Sequence, residues 1–131
     1  MIMEGENKNK IESAQEEMEI LKKRIAELEA SSQNKEKSEI IKEAIQEHAG
    51  KSPEEFLANE HKFTPQEIQD QAQRISNLPV EKQHQEQILE LMQIVQDKGL
   101  LNALSIVDHI QDPHLEDEFH DALVKYFQST H

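Results

Sequence analysis

The densest run of side chains able to do chemistry is Asp108, His109, Asp112, His114, Glu116, Asp117, Glu118, His120 and Asp121. Glu116 and His120 stand four apart, as do Asp117 and Asp121, so each pair shares a face if the run is helical. Imidazole together with carboxylate is a donor set for zinc, iron or manganese. His109, His114, Glu116, His120 and Asp121 are the residues that would serve as ligands. A di-iron bundle needs Glu-x-x-His on two helices with further glutamates opposite. The residue three before His120 is Asp117, and the chain's single Glu-x-x-His runs from Glu81 to His84, so that pattern is incomplete. The simpler reading is a helix whose first turns carry acid to complement the dipole, with its histidines on the surface or at a rim.

Other chemistries find less support. The doublet His120-Asp121 invites comparison with helical phosphohydrolases that hold metal through such a pair. Here Ala122-Leu123 follows it in place of glycine-lysine, and only ten residues remain for the helices that would supply a distal aspartate. His109 is also too close in sequence to sit on a separate ligand helix. The serines, Ser105 and Ser129 among them, lie outside any nucleophile-elbow motif, and no glycine-rich loop is present to hold phosphate. Cysteine is absent, which removes disulfides, thiolate catalysis and Cys-based zinc sites together. No catalytic residue and no cofactor is expected. His84 falls on the apolar face of its helix and reads as a packed or rim residue. Asn102 and Gln111 fall near stripe edges.

The elements that would position these residues are helices. Val80, His84, Ile88, Leu91, Met92 and Val95 recur at three and four residues, and Lys98-Gly99 closes that stripe. Leu100, Ala103, Leu104, Val107 and Ile110 form a second stripe. Asp112-Pro113 starts a third with Leu115, Phe119, Ala122, Leu123, Tyr126 and Phe127. Tyr126 and Phe127 are adjacent, so one face does not bury both. Upstream, Ile40, Ile41, Ala44, Ile45 and His48 form a helical face closed by Gly50. Ser52-Pro53-Glu54-Glu55 and Thr64-Pro65-Gln66-Glu67 each read as a capping box. The first opens a short helix with Phe56 and Leu57 inward, the second a longer one with Ile68, Ala72 and Ile75. Asn77-Leu78-Pro79 separates that helix from the next. No strand-length run alternates with period two. The expected fold is all-α: a small acidic helical bundle over residues 38–131, preceded by a short coiled-coil-like helix.

That leading helix carries Ile11, Ala14, Met18, Leu21, Ile25 and Leu28, spaced 3, 4, 3, 4 and 3 as in a heptad seam. In a parallel homodimer Glu17 would face Lys22 of the second copy, and Arg24 would face Glu29. The next seam positions are Ser32 and Lys35, so the seam covers about two and a half heptads, short of a long coiled coil. The helix either self-associates or docks on its own bundle or a partner. Ser31-Ser32-Gln33-Asn34 is a hinge candidate, though without proline or glycine a helix can also run through it. Residues 1–9 are polar and expected to be disordered.

Composition narrows the partners. The 131 residues carry a net charge of −13, unevenly spread: residues 38–131 hold seven Lys+Arg against 18 Asp+Glu. Such a field repels phosphate backbones and anionic membrane surfaces and attracts a basic protein. No apolar run approaches the roughly 18 residues of a membrane span, and no secretion signal is visible, so a cytoplasmic protein is expected. The function these features favour is a non-enzymatic protein–protein interaction or scaffold module. The rivals are a metal-binding protein or metal-dependent enzyme using the 108–121 cluster, and an adaptor or chaperone for a basic client.

Overall fold

A computed structural model of the chain describes residues 10–32, 34–78 and 83–130. Seven α-helices run through them: α1 Ala14–Ser31, α2 Lys37–Ala49, α3 Pro53–Phe56, α4 Pro65–Ser76, α5 Gln83–Lys98, α6 Leu100–Ile110 and α7 Pro113–Thr130. The fold is all-α. Among the described residues the only β-type pairing is one isolated parallel bridge between Ile11 and Leu57. No described helix is long and apolar enough to cross a membrane. Residues 1–9, 33, 79–82 and 131 lie outside the described residues, and with them Val80, the first position of the stripe read for α5, and Glu81 of the single Glu-x-x-His.

The punctuation explains most of the helix ends. Thr64 forms a full capping box: its hydroxyl accepts from the Glu67 amide, and the Glu67 carboxylate accepts from the Thr64 amide. Asp112 caps α7, its Oδ1 accepting from the His114 and Leu115 amides. Ser13 caps α1 through the Glu16 amide. The box read at Ser52 does not form. The Ser52 hydroxyl donates to the Glu54 carboxylate instead, and α3 is a single turn. At the hinge candidate Ser31–Asn34, α1 stops at Ser31 and Ser32 is extended with φ −118°, while Gln33 lies outside the described residues. Gly99 has φ 95° and ψ 163°, a conformation open essentially to glycine alone, and this single residue turns α5 into α6.

α6 is the centre of the molecule and packs against α1, α2, α4, α5 and α7. A helix packed on most of its circumference is apolar over most of it, and α6 exposes only Asp108 and His109 near its end. Leu100, Leu101, Ala103, Ile106 and Val107 are all buried, so the single stripe read from the sequence understates it. Leu104, placed in that stripe, is only partly buried, and Ile106, left out of it, is fully buried. In α7, Phe127 is buried and Tyr126 half-buried against it edge to face, centroids 5.4 Å apart.

The largest departure from expectation concerns α1. Ile11, Ala14, Met18, Leu21, Ile25 and Leu28, expected as an oligomer interface, are all buried within the one chain. α1 packs chiefly on α2 and also touches α5 and α6. The chain ahead of it is tied down as well: the Ile11 amide donates to the Phe56 carbonyl at 2.6 Å, and the Ala58 amide to the Ile11 carbonyl at 2.8 Å. The heptad spacing is therefore met by the chain's own bundle. Within the described residues the 10–37 segment packs on helices of the 38–131 segment.

Candidate functional site

The site begins with a residue read from the sequence as flanking the heptad seam, where it would pair with Lys22 of a second copy. Glu17 sits between Glu16 and Met18 on α1, beside the heptad seam, and its side chain is fully buried within the one chain. A buried carboxylate needs compensation. Two groups from elsewhere in the chain supply it at Oε2. His48 of α2 approaches with Nε2 at 2.6 Å, and the Leu101 amide, in the first turn of α6, donates at 2.9 Å. That amide is one of the four a helix N-terminus leaves without an internal partner, and the helix dipole favours an anion there. His48 is itself only 2% exposed.

A second histidine stands on the other side. A Cβ placed on Gly99 would collide with Oε1 of Glu17 and lie 3.2 Å from Nε2 of His61. Both atoms are buried and have no hydrogen-bond partner among the described residues, and the same holds for Nδ1 of His48. Gly99 is thus required twice, by its positive φ and by the closeness of the carboxylate. Burial holds the His61 imidazole below its ordinary value of 6.5, and Lys98 adds to that, while Glu17 and Glu16 oppose it.

Asn102, beside this node, fixes the turn that carries His61. Its Oδ1 accepts from the Phe63 amide at 2.9 Å, and its Nδ2 donates to the carbonyls of His61 and Lys98 at 3.0 and 2.8 Å. The 61–63 turn, about 40 residues away in sequence, meets the end of α5 and the start of α6 at one buried amide. Gln87 does the same lower in the molecule, donating to the Ile75 carbonyl at the end of α4.

A carboxylate paired with an imidazole is the arrangement that orients a general base. Here both members are sealed from solvent, so the pair acts as a pin between α1, α2 and the start of α6. Histidine 48 was legible as a member of an apolar face. The involvement of Glu17 and His61 was not, and Gly99 is the one sequence feature that hints at a close approach.

The residues read as possible metal ligands are dispersed. His109, His114, Glu116 and Asp121 are exposed, and His120 is half-buried. The fold brings Glu116 and His120 together with Asp108, Ser105 and Lys51 in one polar cleft between the end of α2, α6 and α7. His109 lies instead in a shallow depression beside Gln69, Gln73 and Ser76 of α4. No three His, Asp or Glu side chains among the described residues are arranged to hold a metal ion. His84 is a rim residue, with Nδ1 3.2 Å from Glu118 and Nε2 3.7 Å from Asp112.

Between α1 and α2 runs a more apolar cleft of about 490 Å³, floored by Leu21, Ala44 and His48. Arg24 closes one side by a bidentate pair with Glu47, at 2.7 and 3.0 Å, and a contact to Glu27 at 3.3 Å. The guanidinium holds the Glu47 carboxyl below the usual carboxylate range. No protein-family model, curated protein or solved structure matches this chain. The site must be interpreted from its own chemistry.

Proposed function

We propose that this chain is a non-enzymatic protein-interaction domain whose acid-rich outer face on α7 receives a basic segment of a partner. The observation that carries this reading is the contrast between the two kinds of ionisable group. The buried set, Glu17 and His48, is spent on internal pairing. Glu116, Asp117 and Asp121 are exposed along α7 and form no ion pair with another described residue. Charges left uncommitted on one helix face raise the local concentration of a cationic partner and set the direction of its approach.

The test compares the full chain with a Glu116→Lys/Asp117→Lys/Asp121→Lys variant as bait in extract of the native host. The wild type should retain a basic protein at low ionic strength and lose it as salt rises through the range where the screening length falls to about 10 Å and below. The variant should retain none of it while melting as the wild type does. Equal capture by both proteins would refute the assignment of the face.

A further inference from the structure

The cleft between α1 and α2 carries the reverse of the charge that dominates the rest of the molecule. Leu21, Ala44 and the His48 ring floor it. Ile20, one of two large apolar side chains exposed among the described residues, stands at its edge. The two carboxylates of the cleft, Glu27 and Glu47, are both engaged by Arg24. Two cations are left over. Lys23 of α1 forms no hydrogen bond or ion pair with another described residue. Lys51, in the turn after α2, stands over the Phe56 ring at 5.3 Å, a contact that uses its charge and none of its N–H donors. Three cations against two carboxylates leave the cleft one positive charge, in a chain whose net charge is −13.

We propose that this cleft binds a small amphipathic monoanion, an alkyl carboxylate whose chain lies on the Leu21–Ala44 floor and whose head is met by Lys23 and Lys51. The size agrees: about 490 Å³ falls within the roughly 300–1,000 Å³ of small-ligand sites. The charge agrees as well, since a local excess of one cation matches a single carboxylate. The cleft is half-open, so the head keeps part of its water while the chain is covered. Lys51 also borders the cleft that holds Asp108 and Glu116, so Lys23 is the cation given wholly to this site.

The site is also preformed, which lowers the cost of binding. Glu17 fixes the His48 ring at 2.6 Å from beneath. The Arg24–Glu47 pair, at 2.7 and 3.0 Å, spans from α1 to α2 and sets the width between the walls. The ligand is therefore of opposite sign to the partner assigned to α7 and sits on a different pair of helices.

Methyl NMR titrations of the full chain with decanoate, decanol and decylammonium test this. Decanoate should saturate and shift the methyls of Ile20, Leu21 and Ala44, while those of Leu104, in the cleft beside α7, stay in place. It should bind more tightly than decanol, and decylammonium most weakly, the reverse of the order that the net charge alone would set. Shortening the chain should cost up to about fourfold per methylene. Lys23→Gln should weaken decanoate roughly two- to fivefold and leave decanol unchanged. Glu27→Gln removes an anion but keeps the Arg24–Glu47 pair, so it should tighten decanoate by a similar factor, a gain that loss of folding cannot mimic. Decylammonium binding at Ile20 as tightly as decanoate would overturn the proposal. So would an unchanged decanoate affinity in Lys23→Gln, or shifts that grow with concentration and never saturate.

Discussion

At the scale of the residue, Glu17 is the buried carboxylate that joins α1 to α2 and α6. Its carboxylate is the shared acceptor for an imidazole from α2 and an amide of α6, so one side chain ties together segments 31 and 84 residues away. Glu17→Ala strands both donors in a buried site. Removing one member of such a pair costs about 3–5 kcal/mol, more than replacing the whole pair by apolar groups. The loss should be read as a lower denaturation midpoint at unchanged slope. Gly99→Ala should destabilise by a different route. It places a side chain at a φ where only glycine is relaxed, about 1–3 kcal/mol, and drives that side chain into the Glu17 carboxylate. The two substitutions share a partner, so their combined cost should be less than the sum. A strictly additive double mutant, measured by chemical denaturation, would show that the two residues do not communicate.

At the scale of the element, α1 is the helix whose role changes most between spacing and structure. Read as an appendage, it is dispensable, and residues 38–131 alone should fold. Packed as it is, α1 lies on α2 and reaches the start of α6 through Glu17, and its own Leu21 and Ile25 are fully buried. Each such large apolar side chain contributes about 1.5–3 kcal/mol by burial, against a total stability of about 5–15 kcal/mol for a domain. Removing residues 1–37 should therefore abolish the cooperative thermal transition, as followed by circular dichroism. Leu21→Asp should do nearly the same, because it puts an uncompensated charge in the core. A truncated chain that melts as sharply as the full one would mean that the buried face of α1 is redundant.

At the scale of the whole molecule, the seven helices close on themselves around α6. Burial of the heptad face within one chain leaves no equivalent seam for a second copy, so sedimentation equilibrium should show a concentration-independent monomer. A dimer that dissociates on dilution would require α1 to leave the bundle and would contradict the packing described above. The net charge of −13 acts at this scale too, keeping copies apart by repulsion.

Period and punctuation in the sequence determined that the fold is all-α, where α4 and α7 begin, and which face of α2 turns inward: Ile40, Ile41, Ala44, Ile45 and His48 are all buried as spaced. These are local properties, set by 3.6 residues per turn and by which side chains satisfy the free amides of a helix start. Only the tertiary structure decided what each face packs against. A heptad stripe is equally satisfied by a second copy or by the chain's own bundle, because burial has no preferred partner. The polar node lay further out of reach. Glu17 looks like any seam-flanking helix glutamate until His48 and the Gly99–Leu101 turn are brought to it from two distant segments. The fit of a carboxylate to an imidazole and a helix N-terminus depends on distances that no spacing along the chain encodes.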